Sequence, residues 1–320
     1  MKPIISLILP AYNVGGYIEA CVNSCEMQDL SQDSYEVIIV NDGSTDDTLL
    51  KISNLSERYK NIRILNQQNS GVSVARNNGA KIAKGKYFWF IDPDDIISMN
   101  CLATLISIIE QYDLDAFTVG PSIPFLDKFP KTLSLSNNIS KIYSGVDYIL
   151  YSEKFGVAPW CYILKQSFWI YNNFSFYPGI VYEDTQLMPY VLSKAKKVAA
   201  LTKFSCYNYI QRSGSIMNST VSKHKLFSNA VIINTHLKYA NEALDVRLCR
   251  YFEESASRAF ISSINRIIQM RADKKLVNDF FSKIIQRPSS LYGRNIFQKL
   301  YQYFILHYPY IYIKLHYLLK

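Results

Sequence analysis

The chain has 320 residues, 49% of them apolar, with a formal net charge of +9. It can hold a sizeable core in one large domain, or in one domain with an extension. No run approaches the length of a membrane-spanning helix, the apolar start Ile4–Leu9 is too short for a signal peptide, and the six cysteines fall at no metal-ligand spacing, as expected of a reduced, cytosolic protein.

Ile4–Leu9 predicts a buried strand closed by Pro10, with Ala11, Tyr12 and Asn13 after it. A helix follows over about Gly16 to Met27, with Cys21 and Cys25 as core-facing thiols. Tyr35–Val40 is a second strand, ending in Asn41-Asp42-Gly43-Ser44. Ser44 or Thr45 is placed to cap the next helix, which runs to about Tyr59. Ile62–Leu65 is a third strand, and a helix over Ser70–Lys84 is stopped by Gly85. Tyr87–Ile91 reads as a buried aromatic and β-branched strand that must stop at Pro93, which cannot donate to a ladder. A helix over Met99–Tyr112 and a strand at Ala116–Val119 continue the alternation. Strands alternating with helices imply an α/β protein with parallel pairing and helices on both faces.

Beyond Gly120 the pattern loosens. Pro121, Pro124 and Pro130, followed by the polar run Ser134–Ser140, read as a link. A helix is expected at Ser144–Tyr151 and strands at Trp160–Lys165 and Val198–Tyr209. From Lys223 the sequence turns helical, with helical periodicity over His236–Met270. His224 and His236 have no partner at metal spacing and read as structural. The expected division is 1–222 for the α/β domain, in halves 1–115 and 116–222, and 223–320 for a helical extension.

The last stretch, Phe281–Lys320, contains no Asp or Glu and interleaves aromatics with Lys, Arg and His. Such a terminus suits the membrane–water interface, where Tyr is favoured and Lys can snorkel. The alternative is a helical cap on the first domain, or a surface paired in a homodimer. The positive balance suits an anionic partner, but no nucleic-acid-binding motif accompanies it, so nucleic acid is not expected.

Asp92-Pro93-Asp94-Asp95 concentrates the chemistry. In extended geometry Asp92 and Asp94 point to one side, about 6.5 Å apart. Carboxylates so crowded repel unless a cation or proton sits between them. Oxygen ligands suit Mg2+ or Mn2+; the plainer reading is a solvated turn before the next helix. Pro10-Ala11-Tyr12-Asn13, Asn41-Asp42-Gly43-Ser44 and this turn all fall at C-terminal ends of predicted strands, where doubly wound sheets bind ligands. The G-x-G-x-x-G fingerprint and the Walker loop are both missing, so the chain is neither an obvious dehydrogenase nor an obvious NTPase. Phosphates would be held by a cation and basic side chains.

ISLILPAYN, VIIVNDGSTDDT, NSGVSVARNNGAKIAKGKYFWFIDPDD and VYEDTQL, in that order, resemble the family 2 glycosyltransferases of GT-A fold, inverting enzymes that use nucleotide-diphosphate sugars. The resemblance is strong over about residues 3–115, fair to about 215 and weak beyond. It implies a GT-A, Rossmann-like fold with a mostly parallel central sheet. It also implies that Pro10, Ala11 and Tyr12 line the base pocket and that Asp42 reads the base, typically uracil, by accepting from its imide N–H. Arg76 falls in the segment near base and phosphate. Asp92, Asp94 and Asp95 match the D-x-D-type metal signature. Asp92 or Asp94 would approach the ribose, and Asp94 or Asp95 would ligate Mn2+ or Mg2+ directly or through water. The family most often has a small polar residue where Pro93 stands, which leaves the ligating carboxylate open.

Asp184 matches the general base of the family's E-D motif, with a helix cap as its alternative role, and Glu183 would orient the acceptor or Asp184. Trp160 falls beside the acceptor site, to stack on a sugar or lie in the core. In Tyr209–Ile216, Arg212 would approach the diphosphate and Gly214 let the loop close; a basic surface loop is the alternative. The implied function is inverting transfer from a UDP-sugar to a carbohydrate acceptor, expected to be a lipid-linked glycan of a bacterial capsule, exopolysaccharide or lipopolysaccharide. The enzyme would be cytoplasmic, and peripheral at the inner membrane face through its tail. Two other classes compete. A nucleotide-sugar-binding protein would lack the base, and a nucleotidyltransferase would carry a Gly-rich basic loop after the first strand.

Overall fold

The computed structural model describes residues 2–120, 128–129, 138–210, 222–293 and 295–318. The chain divides into two compact units, one of Met1–Gly179 and Leu187–Arg212, the other of Ile180–Gln186 and Ser213–Lys320. The segment bearing Glu183 and Asp184 thus groups with the helices that follow residue 213. Pro121, Pro124, Pro130 and residues 134–137 of the expected link lie outside the described residues.

In chain order the elements up to the first carboxylate turn are β1 (Ile5–Ala11), α1 (Ile18–Glu26), β2 (Tyr35–Asn41), α2 (Thr48–Arg58), β3 (Ile62–Asn66), α3 (Val72–Ile82) and β4 (Tyr87–Phe90). After it come β5 (Ile96–Ile97), α4 (Leu102–Gln111), β6 (Ala116–Thr118), α5 (Gly145–Tyr151), β7 (Tyr162–Lys165), α6 (Gln166–Tyr171), α7 (Glu183–Ser193), β8 (Val198–Ala200) and β9 (Tyr207–Asn208). Every residue of β1, β2 and β4 is buried, as strands covered on both faces require. The central sheet has seven strands in the order β3-β2-β1-β4-β7-β6-β8. Pairing is parallel from β3 to β4 and between β6 and β8; β7 alone runs against its neighbours. A second sheet pairs β5 with β9.

Several expectations shift for local reasons. β1 does not close at Pro10 but runs on to Ala11, in register with Val40 and Asn41 of β2. Ala11 accepts from Asp42 N–H on the β2 side, and Ile8 accepts from Ile91 N–H on the β4 side. Pro10 therefore faces β4, where pairing has already ended at Ile8 and Phe90, and its missing donor costs nothing. Ser44 and Thr45 do not cap α2. That helix starts at Thr48, whose N–H is taken by Asp46 Oδ1 at 3.0 Å. The expected strand Val198–Tyr209 is two pieces, because Leu201 N–H still bonds Thr118 while Tyr207 and Asn208 leave for β5. Trp160 lies in a 3-10 turn over Pro159–Cys161, just before β7.

α3 lies on the sheet by close approach at Gly79, where an added Cβ would sit 2.4 Å from Ile8 Cγ2. At the opposite end of the strands from the carboxylate turn, Glu36 Oε1 accepts from Ser6 Oγ at 2.7 Å and from Lys84 N–H at 2.6 Å, and Oε2 meets Arg63 at 2.6 Å. This buried node pins the entry of β4 against β1 and β2.

The second unit contains α8 (Lys223–Glu242), α9 (Val246–Gln269), α10 (Lys274–Ser282), α11 (Ile296–His307) and α12 (Pro309–Leu318). The helical run expected over His236–Met270 is broken by Ala243 to Asp245, and Asp245 caps α9 by accepting from Arg247 N–H. Ile305, Leu306, Tyr312 and Ile313 of the basic tail pack into this unit's core with Phe260, Ile264 and Phe280. Phe297, Leu300, Ile311 and Leu318 stay exposed.

Glu36→Ala strands the Ser6 hydroxyl and the Lys84 amide; a denaturant melt should show about 2–3 kcal/mol lost. An unchanged midpoint would show that the node is not holding the strand entry.

Candidate functional site

The loops after β1 and β2 are stitched to each other. Asn13, held at φ 49°, takes Ser44 Oγ on its N–H at 3.1 Å and receives Thr45 N–H on Oδ1 at 2.8 Å. Val14 and Gly15 N–H reach Thr48 Oγ1 and Asp46 Oδ2. Gly43 needs its φ of +70°, and a Cβ there would come 2.8 Å from Asn69 N. Asp42 is only 3% exposed. Its Oδ1 accepts from Gln67 Nε2 and Ser70 N–H, and its Oδ2 from Gly71 N–H, at 2.7–2.8 Å. Asp42 thus fixes the entry to α3, while Oδ2, with one donor, keeps acceptor capacity. Pro10 and Ala11 end β1 beside it, and Tyr12 is 47% exposed.

At the end of β4, Asp92-Pro93-Asp94-Asp95 is a hydrogen-bonded turn, closed by Asp95 N–H on the Asp92 carbonyl at 3.1 Å. Pro93 takes the second position, where its fixed φ favours the turn. The three carboxylates meet different partners. Arg76, from α3, is buried over the Phe176 ring and donates to Asp92 Oδ1 at 2.9 Å. Asp95 is 1% exposed, with Oδ2 accepting from Tyr207 Oη at 2.6 Å and Oδ1 from Ile210 N–H at 2.7 Å. Burial pushes its carboxyl up to about 7, against the pull of those two donors. The same Tyr207 hydroxyl accepts from Asp92 N–H at 3.1 Å. Asp92 and Asp94 keep exposed edges, and Asp95 does not. Among the described residues no group of three or more His, Cys, Asp or Glu forms a ready metal cage.

Trp160 is half-buried and packs against the core of the first unit. It stacks on Tyr207 at 4.4 Å and lies parallel to Tyr209 at 5.9 Å, while its carbonyl accepts from Trp89 Nε1 at 2.7 Å. Arg212 and Gly214 lie outside the described residues.

Glu183 and Asp184 form the first turn of α7 and belong to the second unit. Acidic side chains suit that helix end. Tyr182 before them has φ +67°, a conformation a tyrosine rarely adopts without support. The support comes from α8 and α9. Val181 N–H bonds Ser228 Oγ at 3.1 Å, and Arg266 donates to Tyr182 Oη at 3.3 Å. His236 Nε2 meets the Thr185 and Gln186 carbonyls at 3.1 and 3.3 Å, and its Nδ1 meets Ser255 Oγ at 3.0 Å. With two carbonyls on Nε2 the proton belongs there, and Nδ1 accepts. Burial lowers the His236 pKa to about 4. His236 and Tyr207 are thus organising residues that no local motif marks, since each acts on a turn distant in sequence.

A mostly parallel sheet whose loops gather a buried aspartate and a carboxylate turn at the C-terminal ends of β1, β2 and β4 is the arrangement of GT-A proteins. The family model for glycosyl transferase family 2 matches residues 6–171, and the chain belongs to that family. It is 29% identical over 218 residues to the uncharacterized glycosyltransferase YibD of Escherichia coli, covering 66% of this chain and 62% of that one. It is 26% identical over 285 residues to a poly(ribitol-phosphate) beta-glucosyltransferase of Bacillus spizizenii, covering 85% of this chain and 43% of that one. The chain thus spans less than two thirds of either relative's length. The fold is that of S. aureus TarS 1–349 in complex with UDP-GlcNAc, with a TM-score of 0.71, 21% identity, and coverage of 98% of this chain and 92% of that one. Among the described residues no helix is long and apolar enough to cross a membrane.

Tyr207→Phe keeps the ring on Trp160 but leaves Asp95 Oδ2 buried without its donor. The expected loss is about 2 kcal/mol in a denaturant melt; no loss would mean the hydroxyl does not hold the turn. His236 gives a pH signature. Its folded pKa lies below the unfolded value of 6.5, so its contribution is whole above that value and is lost as pH falls towards about 4. Wild type should lose roughly 3 kcal/mol more than His236→Gln over that window, and parallel pH profiles would contradict the buried, neutral imidazole.

Proposed function

We propose that the chain transfers a sugar from a UDP-sugar to a hydroxyl of a cell-surface glycopolymer, inverting the anomeric carbon. The observation that carries this reading is the turn at the end of β4, where Asp92 meets an arginine, Asp95 is buried under a tyrosine, and Asp92 and Asp94 both stay partly exposed. Family membership supports transfer chemistry. The UDP-GlcNAc bound to TarS, whose fold the chain shares, supports the nucleotide, and the poly(ribitol-phosphate) beta-glucosyltransferase supports the acceptor class.

Pro10, Ala11 and Tyr12 flank the base, and Asp42 Oδ2 accepts from the imide N–H. Arg76 holds Asp92 in place for the ribose. Asp94, with Asp92, fits Mn2+ or Mg2+, which needs one or two carboxylates and completes its shell with waters and substrate phosphates. When bound, such a cation offsets charge on the departing diphosphate. Asp95 serves as the pin beneath the turn. Trp160, held parallel to two tyrosines, offers a flat face to a sugar.

Asp184 takes the proton from the acceptor hydroxyl as its oxygen bonds to the anomeric carbon. The bond from that carbon to the diphosphate oxygen breaks, and UDP leaves with the electron pair. A carboxylate suffices because the hydroxyl becomes acidic only as the new bond forms. Glu183 orients the acceptor or Asp184. The tail supports contact with an anionic membrane surface, since its exposed Phe297, Leu300, Ile311 and Leu318 lie among lysines with no acidic residue.

The test is a binding and turnover panel of UDP-, GDP- and dTDP-sugars with Mn2+ or Mg2+. One UDP-sugar should bind with metal. Asp94→Ala should weaken that binding at least about tenfold. Asp184→Asn should retain it while losing about a hundredfold or more in turnover. If no nucleotide sugar bound, with or without metal, the reading would fall.

A further inference from the structure

The second unit contains a cavity of about 340 Å3 that the reading above leaves unused. One face of α9 supplies Arg258, Asn265, Arg266 and Gln269 to its wall, with Tyr292 across from them and Ile261 the single aliphatic side chain. Among the described residues no carboxylate lines it. Glu254 reaches Arg258 only at 3.8 Å and is shared with Arg250, which it meets at 2.9 Å. Each guanidinium lies over a tyrosine ring at 5.4 Å, Arg258 on Tyr292 and Arg266 on Tyr182. Arg266 spends Nη2 on the Tyr182 hydroxyl, and its Nη1 is buried with no hydrogen-bond partner.

A buried guanidinium N–H without an acceptor costs roughly 1–3 kcal/mol. An anion with several oxygens removes that cost, and guanidinium forks match phosphate geometry. The Asn265 and Gln269 amides add hydrogen-bonding groups for hydroxyls beside the phosphate. The volume lies at the small end of ligand cavities and suits one phosphate with a polyol or sugar attached. Tyr182, which Arg266 holds, is followed directly by Glu183 and Asp184.

We propose that this cavity binds a phosphate group of the acceptor, within a polyol-phosphate or sugar-phosphate repeat, and that Arg258 and Arg266 hold it there. This rests on the transferase reading, in which Asp184 acts on the acceptor. Acceptors carrying phosphate are then selected over neutral glycans by a site distinct from the donor nucleotide's.

The experiment is calorimetric titration of the full chain with a soluble ribitol-phosphate oligomer. A neutral oligosaccharide, inorganic phosphate, phosphatidylglycerol vesicles and UDP with Mn2+ form separate arms. The oligomer should bind, the neutral oligosaccharide should not, and inorganic phosphate should compete. Arg258→Gln and Arg266→Gln should each weaken the oligomer at least about tenfold, and Arg258→Lys less. UDP affinity should stay within about twofold, because the uridine contacts lie elsewhere. Should either variant fail to fold, Gln269→Glu, which puts a carboxylate on the same wall, should weaken the oligomer likewise. Unchanged oligomer affinity in the folded variants would overturn the proposal. So would binding by vesicles alone, lost in the same variants, since that would assign the arginines to a lipid headgroup. Failure of the UDP arm in wild type would instead defeat the transferase reading, while the oligomer arm still decides whether the anion site exists.

Discussion

Three carboxylates within four residues cannot share one turn without an answer to their repulsion, and the end of β4 is built around that constraint. Asp92 is answered by a buried arginine from α3. Asp95 is answered by a hydroxyl and an amide from the β9 segment. Asp92 and Asp94 stay partly exposed, whereas Asp95 is buried. Each answer depends on a distant packing decision. Arg76 reaches Asp92 because Gly79 lets α3 lie close on β1. Tyr207 reaches Asp95 because β9 leaves the main sheet to pair with β5, in register Ile97 to Tyr207. The turn is therefore the product of a helix–strand approach and a small accessory sheet as much as of its own sequence.

The second unit shows the same economy in another setting. A tyrosine in a left-handed conformation, an acidic first turn and a histidine held neutral by burial are fixed by α8 and α9. Arg266 serves both sides of that arrangement. One guanidinium nitrogen steadies Tyr182, while another is buried without a partner beside a cavity rich in donors.

Much of the first unit was legible in the sequence because its strands are apolar throughout. Runs such as YEVIIV and YFWF are buried on both faces, so their ends could be placed to within a residue or two. Pro10 misled because a proline's effect in a parallel ladder depends on which neighbour it faces, and that is set by register. The break between Ala200 and Tyr207 was hidden for a related reason, as the leaving strand pairs with Ile96 and Ile97, more than a hundred residues earlier. The candidate residues were legible as motifs, whereas their roles were not. Nothing local separates Asp95, buried under Tyr207, from Asp94 beside it. His236 read as structural because its partners are backbone carbonyls, which leave no mark in a sequence.

We propose that the donor nucleotide binds where β1, β2 and β4 end, with its cation on the carboxylate turn. The most direct measurement is a crystal structure with UDP and Mn2+, in which anomalous scattering locates the metal. The expected result is uracil against Asp42, the anomalous peak on Asp94 or on Asp94 with Asp92, and Asp95 still held by Tyr207 and Ile210. Nucleotide bound away from these strand ends, or a metal held by Asp95 with Tyr207 displaced, would contradict it.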